Sequence, residues 1–252
     1  FWEILPVERI HIPSIEEQDI SYTNDADPTL FDRAEDKAVI AIQKHGMYID
    51  GRERNPKMAE AYLLLGKARY YESRFIPAID AFNFILTRYP SSKSISEANI
   101  WRAKTYVRLE NEEVAIELLE RTLSNTKLDD ETIADASIMI AQAYIQMDSL
   151  SLALPHVQRA AEHVRDKEKL GRYRFIEGQL YNRLEKPDSA TIAFDKVINL
   201  HRRTLRDYYI HAHLAKIRNT TYTSQEEKEE LEKHLSKLEK DRENRPYLDH
   251  VY

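Results

Sequence analysis

Four alanines frame this chain: Ala78, Ala115, Ala153 and Ala190 recur at intervals of 37, 38 and 37 residues. Twelve residues before each stands a second small residue, Gly66, Ala103, Ala141 and Gly178. Arg69, Tyr106, Tyr144 and Tyr181 follow that second set by three positions, and Phe82, Leu119, Val157 and Phe194 follow the alanines by four. A repeat in phase over four copies constrains a fold more than composition does, because every copy must form the same unit and bury its apolar face on its neighbours. Two columns of small residues suit two antiparallel helices in tight contact. A small residue on the first helix facing a small residue on the second lets the axes approach to the lower end of the usual ~8–10 Å.

This is the column pattern of tetratricopeptide repeats, and AEAYLLLGKARYYESRFIPAIDAFNFILTRYP fits it best, with Tyr62, Leu65 and Gly66 on the first helix and Ala78, Phe82 and Pro90 on or after the second. The usual period is about 34 residues, so the extra residues belong in the links. The expected fold is all-α, a tetratricopeptide right-handed superhelical solenoid of antiparallel helix pairs. Only 5 of 252 residues are glycine, which argues against a many-turned β fold and against a phosphate-cradling loop. Punctuation agrees: Pro77 falls in the first turn of a second helix, Pro187 just before another, and Pro155 within the opening turns of a third. Asp129 and Asp130 precede a first helix, where carboxylates suit the N-terminus.

Residues 1–30 read as a helix start and an extended connection, with Pro6, Pro13 and Pro28. Residues 31–252 read as the solenoid, with full repeats near 59–90, 96–125, 134–162 and 171–200 and partial repeats at both ends. FDRAEDKAVIAIQKH reads as the second helix of an incomplete repeat whose partner lies upstream or in the leading residues. Tyr208 to Arg218 gives a fifth first helix with Ala215 on the small column, and Ser224 with Glu227 forms a capping box opening a charged helix through Leu231, Leu235 and Leu238. Arg245-Pro246-Tyr247 restarts a pattern, so further structure is expected beyond Tyr252.

No catalytic signature is present: neither a nucleophile elbow, a P-loop, a paired-histidine metalloprotease motif nor a dinucleotide fingerprint. The expectation is a non-enzyme without cofactor or metal. His211 and His213 stand two apart on a helix and point away from each other, and His156 and His163 are seven apart; both pairs read as surface or packing residues. A net charge of −6 gives no electrostatic reason to bind nucleic acid. With no cysteine, disulfides and thiolate zinc sites are excluded. No run approaches the ~20 apolar residues of a membrane span. The chain opens on FWEILPVERI, without Met or a signal-peptide pattern, so it is expected to begin inside a longer precursor.

A protein-binding groove is expected along the first helices. Register places there Leu63, Lys67 and Tyr70, then Ile100, Lys104 and Val107, then Ile138, Gln142 and Ile145, then Phe175, Gln179 and Asn182. Such a surface suits an extended segment or a partner helix. The alternative is that these residues contact only neighbouring helices. The clamp by which chaperone-binding tetratricopeptide domains hold a C-terminal carboxylate is not formed, since Leu63, Lys67, Ile100 and Lys104 occupy its positions.

Longer phrases carry a more specific likeness. AEDKAVIAIQKHGMYIDG, EAYLLLGKARYYESRFIPAIDAFNFIL, GRYRFIEGQLYNRLEKPDSATIAFDKVINL and DRENRPYLDHVY resemble the SprE and PorW type of tetratricopeptide lipoprotein of the Bacteroidota type IX secretion system, in the same order along the chain. The resemblance implies a scaffold at the periplasmic face of the outer membrane, needed for type IX secretion and for gliding motility. It implies type IX components as partners, linking the trans-envelope motor to the outer-membrane translocon, with a membrane anchor only through a lipid attached upstream. Two other readings stand beside it: a cytoplasmic regulatory or adaptor protein binding a peptide or a transcription factor, and a solenoid fused to an enzyme outside this sequence.

Overall fold

Each repeat becomes a pair of helices because its apolar residues recur at helical spacing and its turn sits at a fixed place. A computed structural model describes residues 30–125 and 127–247. Helix α1 spans Leu30–His45 and is followed by a two-stranded hairpin, β1 Tyr48–Ile49 and β2 Arg52–Glu53. Four pairs follow: α2 Met58–Tyr71 with α3 Phe75–Arg88, α4 Ile95–Arg108 with α5 Glu112–Leu123, α6 Asp130–Gln146 with α7 Leu150–His163, and α8 Lys167–Arg183 with α9 Pro187–Ile198. A short 3-10 turn, His201–Arg203, leads to α10 Arg206–Asn219 and α11 Gln225–Lys240, and a second, Arg242–Tyr247, closes the described chain. The expected helix-pair fold is the observed one. The helices divide between Leu128 and Asp129 into two compact units, α1–α5 with the hairpin and α6–α11.

The four alanines of the frame are wholly buried, as are Phe82, Leu119 and Val157, with Phe194 almost so. Gly66 and Gly178 lie against their partner helices, but what they face differs from expectation. A Cβ on Gly66 would stand 2.7 Å from Phe82 Cζ, and one on Gly178 would stand 2.6 Å from Phe194 Cζ. The glycines therefore make room for a phenyl ring rather than for the opposing alanine. The columns follow the same logic: glycine goes with phenylalanine, whereas Ala103 and Ala141 go with the smaller Leu119 and Val157.

Every turn inside a pair carries a residue in the left-handed region: Ser73, Glu110, Asp148 and Glu185, at φ of 55, 57, 53 and 58°. The residue after each donates its N–H to the carbonyl five positions earlier, Arg74 to Arg69, Asn111 to Tyr106, Ser149 to Tyr144 and Lys186 to Tyr181, at 2.8–2.9 Å. That is a Schellman closure, and it gives the Arg69–Tyr181 column a backbone role besides packing.

Side chains cap the starts of α6, α8 and α11. Asp129 accepts the Thr132 N–H at 2.8 Å, and Ser224 with Glu227 closes the expected capping box. Asp166 caps α8 by accepting Glu168 and Lys169 N–H groups at 2.7 and 3.1 Å. Pro77 sits in the first turn of α3, Pro187 is itself the first residue of α9, and Pro155 lies inside α7. The upstream connection over residues 1–29 and the end of the restarted pattern, 248–252, lie outside the described residues. Arg245, Pro246 and Tyr247 fall in the closing 3-10 turn. No helix among the described residues is long and apolar enough to cross a membrane.

Candidate functional site

The twelve groove positions divide by chemistry. Leu63, Tyr70, Ile100, Val107, Ile138 and Phe175 are buried, and Ile145 is half-buried. Tyr70 packs edge-on against Trp101 at 5.3 Å and Phe75 at 5.9 Å, while Phe175 lies 5.4 Å from Phe194 and 5.9 Å from Tyr208. These six apolar positions are core between successive helices, so the expectation that they line an open surface is corrected. The reason is geometric: on the stripe that register assigns to a groove, Tyr70 meets Trp101 of the next first helix, and Phe175 likewise meets Tyr208.

The polar positions stay accessible: Lys67, Lys104, Gln142 and Gln179 are half-buried and Asn182 is exposed. In the first unit, Lys67 and Lys104 come together on Trp101, their ammonium groups 5.1 and 4.4 Å from its ring centroid, and Lys67 also pairs with Glu97. In the second unit, Asn182 Oδ1 accepts from Asn219 Nδ2 at 2.9 Å.

Buried charge elsewhere is internally matched. Glu177 takes Arg174 Nη1 at 2.7 Å and Gln158 Nε2 at 3.0 Å, with Lys196 3.9 Å away, which ties α7, α8 and α9 together. Arg172 donates to the Tyr208 hydroxyl at 2.7 Å. His213 and His234 join α10 to α11 through ring nitrogens 3.0 Å apart. Burial first, and His234 second, push the His213 imidazole down to about 4, so it is neutral at pH 7. Among the described residues no three His, Cys, Asp or Glu side chains converge as metal ligands.

A concavity that register does not indicate lies in the first unit. It encloses about 1000 Å³ between the hairpin, the start of α2, the end of α3 and the α3–α4 link. Tyr62 and Phe84 stack there at 4.3 Å, and Tyr89 meets them at 6.3 and 6.1 Å. Glu53 Oε1 accepts the Met47 and Asn55 N–H groups at 2.7 and 2.8 Å and so holds the hairpin over the site. Asp50 and Gly51, both at positive φ, make the turn, and the Asp-Gly pair after the apolar Met47-Tyr48-Ile49 run is the sequence signal that would have revealed it.

Neither a family model nor a curated protein matches the chain. Solved structures do resemble it. A thermophilic TPR protein of Thermus thermophilus is 16% identical with a TM-score of 0.54, covering 74% of this chain and 91% of that one. A MamA structure is 22% identical with a TM-score of 0.54, covering 76% and 96%. BtubC from P. vanneervenii is 16% identical with a TM-score of 0.60, covering 75% and 82%. These likenesses establish the fold: the chain is an all-α solenoid of tetratricopeptide type.

Proposed function

We propose that this chain is a non-catalytic scaffold that binds other proteins, working in the cell envelope as a component of type IX secretion and gliding. The observation that carries the scaffold reading is the array of helix pairs on the tetratricopeptide frame, an architecture that presents extended surfaces for other chains. The envelope assignment rests on the ordered phrases resembling the SprE and PorW lipoproteins, which imply secretion components as partners and a lipid anchor attached upstream.

Deletion of the gene tests the assignment: cargo proteins of the type IX route should be retained in the cell and gliding lost. Normal secretion in the deletion strain would refute it. The upstream coding sequence separates the competing adaptor reading, since a signal ending in a lipidated cysteine supports the envelope and direct initiation supports a cytoplasmic adaptor. Crosslinking in intact cells then identifies partners, and secretion components are the expected products.

A further inference from the structure

The 1000 Å³ concavity of the first unit combines an aromatic cluster with uncompensated positive charge. Six charged side chains border it. Glu53 is engaged by two backbone N–H groups, and Lys57 is paired with Glu60 at 2.8 Å. Arg54, Arg88 and Lys93 have no carboxylate partner among the described residues. This basic patch belongs to a chain of net charge −6, so it is a local departure from the average. The first turn of α2 and Ser94, the residue before α4, also border the space, and neither helix start is capped by a side chain; their positive dipole ends add to the same field.

We propose that this concavity docks an extended acidic segment of a partner protein that carries one large apolar side chain. The segment's carboxylates meet Arg54, Arg88 and Lys93, and its apolar side chain lies on Tyr62, Phe84 and Tyr89. The inference rests on the protein-binding reading above and moves the contact away from the groove, whose apolar residues are covered. Charge complementarity chooses the partner: unpaired cations steer and hold acidic chains and repel basic ones. Size agrees, because the volume stands at the top of the ~300–1,000 Å³ range of small-ligand sites and leaves room for several residues. The rings supply the rigid apolar contact that anchors such segments.

A panel of nine-residue peptides tests this, each with a central Phe, Leu or Ala between acidic, neutral or basic flanks, titrated against the full chain by fluorescence anisotropy. Binding is expected for acidic flanks with central Phe or Leu, weakening as salt rises. The double variant Arg88→Glu, Lys93→Glu should reduce that affinity at least tenfold with an unchanged melting temperature, both side chains being exposed. Tyr89→Ala should weaken the Phe peptide more than the Ala peptide. Affinity indifferent to flank charge, affinity retained in the double variant, or no binding by any member overturns the proposal. Photo-crosslinkers at position 93 and at position 104 in cells keep the two readings apart: a partner captured only at 104 leaves the scaffold standing and removes this site, whereas none at any surface position removes the scaffold.

Discussion

At the level of single residues, volume is matched across each helix pair. Gly178 exists because the Phe194 ring occupies the place of a side chain, and that ring is nearly fully buried with nowhere to retreat. Gly178→Ala should therefore cost ~1–3 kcal/mol by overpacking, and Gly178→Leu more, read as a lowered denaturant midpoint. The combination Gly178→Ala with Phe194→Leu rebuilds the pairing already found at Ala103 and Leu119, and should recover much of the loss. Additive losses in the double variant would disprove the matching. A second residue effect lies in the turns. Glu185 is held at φ 58° without the freedom of glycine, so Glu185→Gly should stabilise the chain by ~0.5–1 kcal/mol in equilibrium unfolding.

At the level of elements, the closing 3-10 turn is attached by one small cluster. Arg206 Nε donates to Asn244 Oδ1 at 2.6 Å and the guanidinium pairs with Asp241, while Asn244 Nδ2 donates to the Leu238 carbonyl at 2.7 Å. Asn244→Ala leaves those buried groups short of a partner, at ~1–3 kcal/mol. Faster amide exchange is expected in residues 236–247, with little change in α8 and α9. What the sequence made legible follows the same division. The small columns, the Ser224 box and the α1 helix could be read directly, because they depend on residue types within one or two turns. The Phe82 and Phe194 partners could not, since register says which side of a helix a residue takes but not which atom meets it. The left-handed turn position escaped because Ser, Glu, Asp and Glu fill it where glycine is the usual sign. Arg69 stands in a column whose other members are tyrosines; it reaches Glu35 of α1 at 3.0 Å and the Pro77 carbonyl at 3.1 Å, contacts that depend on where α1 docks. Tyr70 and Phe175 failed as groove residues for the same reason, Trp101 and Tyr208 of the following helices lying on them.

At the level of the whole molecule, the two units carry titrating groups that respond to acid in opposite directions. In the first, burial and then a hydrogen bond with Asp32 push the Glu72 carboxyl from 4.5 up to about 7, with the Asp36 charge adding to the rise. Arg69 pulls the other way, but burial and the neighbouring acids prevail. The folded state thus holds a proton that the unfolded chain releases, so this contribution is full below about pH 4.5 and is lost as pH rises through 7. In the second unit, His213 is pushed from 6.5 down to about 4 by burial and His234, with Lys216 and Arg206 adding to the fall and Asp195 opposing it. Here the unfolded chain takes the proton first, so the stabilisation is present above about pH 6.5 and fades towards pH 4. Hydrogen exchange at pH 7 and pH 5, corrected for intrinsic rates, should show α1 better protected at pH 5 and α11 better protected at pH 7. Glu72→Gln should abolish the first change and leave the second; His234→Gln should reduce the second and leave the first. A shift of both helices in the same direction would mean that these two side chains do not govern how their helices are held, because a common response requires a cause acting on both units alike.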